Sequence, residues 1–313
     1  YEIRNCDWSS DVCSSDLLSF LATLVVALAS GPAHAALKVV TTTQDLAAIA
    51  SDIGGSNVSV SYISRGDLDP HFVDAKPSYM MQLASADLVI AVGMELEIGW
   101  LPSLLTGSRN PKIQAGAAGY LDASSGVNKI EVPTGAIDRS RGDLHPLGNP
   151  HYWLDPENGR GIARAVAAKY TALDSAHSAD YQKNLATFEA KLTQKEAEWS
   201  TKMAPLKGAA VVGYHSTFDY FIARYGMKLV GFVEPKPGIP PTPQHTLEIG
   251  SAAKSAGAKF ILVEPYHDGG SCQPVANISG SKILTLPTSV GAETDIKSYF
   301  DLFDHLVRSL TGA

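Results

Sequence analysis

Short apolar segments alternate with amphipathic ones in the part of the chain that follows residue 36. The apolar, β-branched segments predict strands at residues 37–41, 57–63 and 86–93. Segments with helical periodicity predict an Ala/Ile-rich helix that ends at Gly54-Gly55, and further helices at 78–85 and 95–105. Strands that alternate with helices are typical of a parallel sheet with helices on both faces.

The middle of the chain has a different texture. Residues 107–149 are rich in Gly, Ser and Pro, and we predict an irregular segment with one short strand near 129–132. Residues 158–173 and 178–203 predict two helices, the second of which is amphipathic and ends before Pro205. At 1.5 Å per residue, the second helix would be roughly 35–40 Å long. After it, strands are again predicted to alternate with helices.

These two runs of alternation predict an α/β protein with two parallel-sheet lobes joined by one long helix. We place the N-terminal lobe at residues 36–157, the helical connection at 158–205 and the C-terminal lobe at 206–313. Because the long helix contains few Gly or Pro residues, we expect it to be rigid.

The N-terminal 35 residues are treated separately from the fold. Residues 18–35 form an apolar run that ends in Ala33-His34-Ala35, which predicts a signal peptide cleaved after Ala35. This run is short for a membrane span. Residues 1–17 contain no Met and no cluster of positive charge, so we interpret them as an artefact and leave the native N-terminus open.

The composition favours a globular protein and argues against nucleic-acid binding. Of the 313 residues, 45% are hydrophobic and 18% are charged, which is enough apolar material for the core of one large domain or of two medium-sized ones. The net charge is -7 and the pI about 5.7, and the chain has no basic stripe of the kind that binds nucleic acid. Without residues 1–35, Cys272 is the only cysteine, so we expect the fold to depend on packing and not on a disulfide.

Three histidines follow predicted strands or loops at comparable positions. His71 lies in the loop SRGDLDPHF, His151 lies in GNPHYWLDP, and His215 follows the strand predicted at 209–214. In open α/β sheets, ligands bind at the carboxyl ends of strands, and neutral imidazole is a common zinc ligand. The chain has 9 His and no HExxH or CxxC motif, so a metal site and a set of solvated or capping histidines both stay open on these residues alone.

The segments SRGDLDPHFVDAKPS, GNPHYWLDPENG and VVGYHSTFDYFIARYG resemble the zinc- and manganese-type substrate-binding proteins of metal ABC importers. The resemblance extends from TTTQDLAAIA through ADLVIAVGMELE to the terminal helix. It implies a periplasmic protein that holds a metal in the cleft between two lobes joined by a rigid backbone helix. It also implies that the metal ligands are His71, His151 and His215, the last of which is His or Glu across the family.

The fourth ligand departs from the family pattern. Many members have an Asp just after the last strand of the second lobe, where this chain reads KILTLPTSVGAE without an Asp. Glu264, at the end of the strand in KFILVEP, is our first candidate for this ligand, and Asp69, His267 and water are the others. The His/Asp-rich loop of many zinc-binding members is missing, and the role of His145 in that region stays open.

We therefore expect a protein that is not an enzyme and that delivers a divalent cation to the membrane permease of an ABC importer. Three imidazole nitrogens favour zinc over manganese or iron, which usually take more oxygen ligands. We expect the protein to be monomeric, and the cognate permease stays open. The alternative is a periplasmic zinc hydrolase, in which a water occupies the fourth position and Glu264 acts as the general base.

Overall fold

Two parallel sheets organise the part of the chain that this computed structural model describes, residues 35–134 and 145–312. The first sheet has the strand order β2-β1-β3-β4, with β1 Leu37–Thr41, β2 Val58–Tyr62, β3 Leu88–Ala91 and β4 Tyr120–Asp122. The second has the order β6-β5-β7-β8, with β5 Ala210–Gly213, β6 Lys228–Phe232, β7 Phe260–Val263 and β8 Lys282–Thr285. Because the strands of each sheet are parallel, the loops that follow them leave from one edge.

Helices cover both sheets and connect them. The first lobe contains α1 Gln44–Gly54, α2 Pro77–Ala84 and α3 Leu101–Ser108. The connection consists of α4 Pro156–Leu173 and α5 Ser178–Met203, and the second lobe contains α6 Asp219–Arg224, α7 Pro243–Ala256, α8 Gln273–Ser279 and α9 Tyr299–Thr311. The 26-residue helix α5 packs against α1 of the first lobe and α9 of the second. The predicted fold class is confirmed. None of the described helices has the length and apolar character needed to span a membrane.

One apolar cluster extends from the first lobe through α5 into the second. It includes Ile49 and Ile90 in the first lobe, Trp199 on α5, and Phe221 and Phe303 in the second lobe, all of which are 0–1% exposed. The rings of Trp199 and Phe303 lie 4.9 Å apart. Each fully buried side chain of this size contributes about 1.5–3 kcal/mol to the stability of the fold. This shared core therefore resists separation of the lobes.

Polar contacts add a second link between the lobes, at the loop that follows β8. The carboxylate of Asp45, fully buried at the start of α1, accepts hydrogen bonds from Ser289 Oγ (2.6 Å) and the Val290 amide (2.9 Å). The indole of Trp153 donates to the Thr288 carbonyl (2.8 Å). The loop after β8, which lacks the Asp that the resemblance implies, thus joins the two lobes.

The helix predicted at 95–105 is wrong at its beginning, because α3 starts only at Leu101. Gly93, Met94 and Glu95 have φ angles of 79°, 55° and 66°, which lie in the left-handed region and cannot continue a right-handed helix. The buried Glu97 carboxylate accepts hydrogen bonds from the amides of Val92 (2.7 Å) and Gly93 (3.1 Å). The side chain of Glu97 thus stabilises a turn where the periodicity predicts helix.

The strand predicted near 129–132 is also wrong. Glu131 has a φ of 55°, and the Ile130 amide donates to the Tyr220 hydroxyl at 3.2 Å instead of to a strand. The Ile130 carbonyl accepts from the Asn149 amide at 3.0 Å. This segment therefore supports the loop that carries His151. The sequence patterns also missed two short elements, β4 and α8.

Candidate metal centre

Three histidine rings from separate loops converge at the strand edges of the two lobes. His71 comes from the loop after β2, His151 directly precedes a short 3-10 turn at Tyr152–Leu154, and His215 follows β5. Their ring centroids are 5.1 Å (His71 to His151), 5.6 Å (His71 to His215) and 5.5 Å (His151 to His215) apart. One ring nitrogen of each lies within 4.8 Å of the others. The structure brings together the three histidines that the sequence analysis singled out.

The sequence pattern Asx-Pro-His orients two of these rings. Asp69 Oδ1 accepts hydrogen bonds from the backbone amide of His71 (2.9 Å) and from its Nδ1 (2.7 Å). Asn149 Oδ1 contacts the amide and Nδ1 of His151 in the same way, at 2.9 Å and 3.0 Å. Because an acceptor faces Nδ1 in both rings, Nδ1 carries the proton and the lone pair is on Nε2.

The third ring is oriented by an acid from the neighbouring strand. His215 Nδ1 lies 2.9 Å from Glu234 Oε2, which also accepts a hydrogen bond from the Gly238 amide (3.3 Å). Gly213 of β5 pairs with Phe232 of β6, and His215 and Glu234 each lie two residues beyond that pair. Equal offsets along paired parallel strands therefore place the two side chains together.

Sequence reasoning missed the roles of Asn149 and Glu234. The repeated Asx-Pro-His spacing in DPH and NPH was a visible signal for Asn149. Glu234 had no such signal, because its contact with His215 depends on the register between β5 and β6, which includes an irregularity at Val211/Val212. A carboxylate or amide oxygen behind each imidazole is the usual arrangement around histidine metal ligands.

Burial and charge affect the three imidazoles differently. Burial, together with the positive potential of His71 and His215, lowers the pKa of His151 well below its ordinary value. Burial also opposes protonation of His215, but the hydrogen bond with Glu234 and the nearby carboxylates outweigh it and raise its pKa. His151 Nε2 is buried and has no hydrogen-bond partner among the described residues. A neutral, buried lone pair without a partner suits a metal ligand.

Carboxylates give the site a negative environment. Burial would raise the pKa of Asp69, but its hydrogen bonds with His71 and the positive potential of His71 and His215 lower it below its usual value. Asp69 thus stays ionised behind His71, as an orienting group and not as part of the three-nitrogen cluster. A divalent cation at the imidazoles would be attracted by this charge.

Glu264 lies beside the histidines but outside their cluster. It is 0% exposed, and burial raises the pKa of its carboxyl to about 7, although the potential of His215 opposes the shift. Neither carboxylate oxygen has a hydrogen-bond partner among the described residues, and Glu264 Oε2 lies 3.9 Å from His267 Nε2. Burial also raises the pKa of Glu97 to about 7, but Glu97 accepts two backbone hydrogen bonds. The two acids share burial and differ in hydrogen bonding.

Two further histidines lie near the cluster. His267 stacks on Tyr214 with ring centroids 4.5 Å apart, and its ring lies 6.0 Å from that of His215. His145 is closer, because its Nε2 lies 3.2 Å from His71 Nε2. Burial, then the positive potential of His71 and His215, lowers the pKa of His145 to about 4. Of the side chains considered as the fourth ligand, Glu264, Asp69 and His267, none joins the cluster of three nitrogens.

Residues 39–313 match the family model described as ZnuA, zinc-uptake complex component A, periplasmic. The match covers the three histidine loops and both sheets. The chain belongs to this family.

Several relatives in this family have assigned roles. The chain is 30% identical over 164 residues to the high-affinity zinc uptake system protein ZnuA of Brucella abortus (strain 2308), which covers 52% of this chain and 48% of that protein. The chain thus spans about half the length of these first relatives. It is 27% identical over 253 residues to the manganese ABC transporter substrate-binding lipoprotein PsaA of Streptococcus pneumoniae, covering 79% of this chain and 78% of that one.

Solved structures share the fold. A crystal structure of ZnuA has a TM-score of 0.75 at 22% identity and covers 89% of this chain and 99% of that chain. The Mn-bound periplasmic metal binding protein from candidatus liberibacter asiaticus has a TM-score of 0.73 at 18% identity, covering 88% of this chain and 98% of that chain. At these identities the likeness shows the fold alone.

Proposed function

We propose that this protein binds one divalent metal ion in the periplasm, with zinc as the preferred ion, and delivers it to the membrane permease of an ABC importer. His71, His151 and His215 hold the ion through Nε2. Family membership supports the general role, since relatives are named for zinc or manganese uptake. The protein acts by capture and release and does not catalyse a reaction.

The observation that carries this proposal is the shared orientation of the three rings. Each Nδ1 faces an oxygen, from Asp69, Asn149 or Glu234, so each ring can present Nε2 to a common ion. The tautomer is set before the ion arrives, which lowers the cost of ordering the ligands when the ion binds.

The chemistry of the donors favours zinc over manganese. Zinc binds imidazole nitrogen well and is usually four-coordinate and tetrahedral, whereas manganese prefers carboxylate, carbonyl and water oxygens. The nearest acids, Asp69 and Glu234, are bonded to histidine Nδ1 atoms and stand behind the ligands. The alternative function for the same site is uptake of manganese or iron.

The burial of the site favours binding over hydrolysis. A zinc hydrolase needs an accessible position for water and substrate next to a general base. His151 and Glu264 are both 0% exposed, so the acid that would serve as the base has no open path to a substrate in this conformation. Capture of a bare ion, which is much smaller than an ester or peptide, fits such a closed site.

Competition between ions tests the proposal. We expect purified, metal-free protein to bind one zinc per chain, measured against a zinc chelator of known affinity, because the three histidines form one cluster. Manganese at the same free concentration should displace little zinc. Absence of tight zinc binding, or tighter binding of manganese than of zinc, would contradict the proposed function. Hydrolysis of model ester or phosphate substrates that depends on zinc would favour the hydrolase instead.

A further inference from the structure

A fourth imidazole reaches the metal-binding face of His71. His145 Nε2 lies 3.2 Å from His71 Nε2, and the two ring centroids are 5.3 Å apart. His71 Nε2 is the atom proposed above to bind the metal, because Asp69 occupies its Nδ1. His145 therefore approaches the position at which the ion would be held, although it belongs to no assigned set of ligands.

The distance between the two nitrogens matches that of two ligands on one metal. Zinc–imidazole bonds are about 2.0–2.1 Å long, so two nitrogens on a tetrahedral zinc lie about 3.3–3.4 Å apart. His145 lies outside the group in which three nitrogens are within 4.8 Å of one another. Residues 145–148 would have to move toward His151 and His215 for the fourth ring to join that group.

The positions of the ring protons of His71 and His145 are also consistent with a cation bound between the two rings. Asp69 accepts from His71 Nδ1, so in neutral His71 the Nε2 lone pair faces His145. The ring of His145 is also hydrogen-bonded to the Met94 backbone. At 3.2 Å the two Nε2 atoms are within hydrogen-bond distance, so His145 Nε2–H can donate to this lone pair in the metal-free protein. A zinc ion that replaces that proton would be bound by both nitrogens.

Local backbone structure places His145 beside His71. Met94, which contacts the ring, has a left-handed φ of 55°, a conformation that the buried Glu97 carboxylate helps to stabilise through Gly93. Gly148, with a φ of 105°, closes the turn after His145, and a Cβ there would lie 2.8 Å from the Ile130 carbonyl oxygen. The turn is therefore built by residues that other side chains would disturb.

Charge balance favours an imidazole over a carboxylate as the fourth ligand. Asp69 and Glu234 place two carboxylates on the Nδ1 atoms of His71 and His215, and together they match the charge of a zinc ion. A neutral fourth ligand leaves the site balanced. A coordinating Glu264 carboxylate would add a third negative charge to this balance.

We propose that His145 is the fourth ligand, so that the ion is held by four imidazoles. This inference rests on the proposed function of the site. Any proton held at the Nε2 atoms of His71 and His145 in the metal-free protein passes to solvent when zinc binds. Glu264 then remains a nearby acid that does not touch the ion.

X-ray absorption spectroscopy of the zinc-loaded protein tests this assignment. We expect four imidazoles around zinc in the unaltered protein, three in His145→Ala and four in His177→Ala, a control whose histidine pairs with Asp174. Zinc affinity should fall at least about tenfold in His145→Ala, a loss of about 1.4 kcal/mol, and should be unchanged in His177→Ala.

Other outcomes separate the alternatives. Three imidazoles and one oxygen in the unaltered protein, with the oxygen lost in Glu264→Gln, would overturn His145 in favour of Glu264. An oxygen retained in both Glu264→Gln and His145→Ala would overturn it in favour of water. In each case zinc still binds, so the proposed function survives. If the unaltered protein binds no zinc, both the proposed function and this inference are wrong.

Discussion

The loops that carry His71 and His151 orient their rings with the same three-residue pattern but differ in charge and burial. In the first loop Asp69 is ionised, and the side chain of His71 is 12% exposed. In the second loop the partner is the neutral Asn149, and His151 is 0% exposed. The amide of Asn149 also donates to the Ser216 carbonyl (2.6 Å) and to Glu131 Oε2 (3.1 Å).

The comparison of the two loops distinguishes two roles of the residue behind the histidine, namely orienting the ring and supplying negative charge. A fully buried loop favours an amide side chain, because an amide can make hydrogen bonds with the groups around it without burying a charge. The more accessible loop tolerates a carboxylate, which attracts the cation as well as orienting the ring. Of these two loops, the neutral one is thus tied to the core and the charged one lies nearer the surface.

The largest expected effect comes from removing either imidazole. We expect His71→Ala and His151→Ala each to weaken zinc binding more than about 100-fold, because loss of a ligand exceeds the about 10–100-fold cost of losing a ligand's hydrogen-bond partner. Chelator competition with His177→Ala as the control measures this. If zinc affinity changes less than threefold in either variant, that histidine is not a metal ligand.

Removing the orienting residue should have a smaller effect that differs between the loops. We expect Asp69→Ala and Asn149→Ala each to lower zinc affinity by about 10–100-fold. Only Asn149→Ala should also destabilise the metal-free protein, by about 1–3 kcal/mol, since it leaves the partly buried Ser216 carbonyl without its donor. Titration and thermal unfolding without metal measure the two effects.

Asp69→Asn is the matched variant for this comparison. It keeps an acceptor for His71 Nδ1 and removes the charge, so its affinity should fall between those of the unaltered protein and Asp69→Ala. An affinity equal to that of Asp69→Ala would show that charge, and not orientation, is what Asp69 contributes. A loss of stability in Asp69→Ala equal to that in Asn149→Ala would contradict the separation of the two loops.

The smallest expected effect concerns pH. Glu234 raises the pKa of His215 above its ordinary value, so protons compete with zinc at His215 as the pH falls through that raised pKa. Glu234→Gln removes the raising influence, so the pH at which zinc affinity falls by half should move lower by less than about one unit. Titrations between pH 5 and about 8.5 test this. A midpoint that stays fixed or moves higher would contradict the role of Glu234.

Much of this arrangement could be predicted from the sequence, because the relevant signals are local. Alternating strands and helices predict two parallel sheets, and His71, His151 and His215 follow strands or loops that meet at one edge. The repeated Asx-Pro-His pattern also predicts the orientation of two rings, since Asp69 and Asn149 accept hydrogen bonds from histidines only two residues away.

Contacts between distant residues could not be predicted in this way. Glu234 reaches His215 through the register of two strands, and His145 reaches His71 across 74 positions of sequence. The turn at Gly93 depends on a side chain, Glu97, that folds back on the backbone in place of continuing a helix. Such features follow from tertiary packing, which periodicity does not record.

A crystal structure of the zinc-loaded protein, with the ion located by its anomalous scattering, tests the central claim most directly. We predict one zinc ion per chain, with Nε2 of His71, His151 and His215 each at about 2.0–2.1 Å from it and each Nδ1 still bonded to its oxygen. A zinc ion bound elsewhere, or bound here through fewer than three of these nitrogens, would contradict the account.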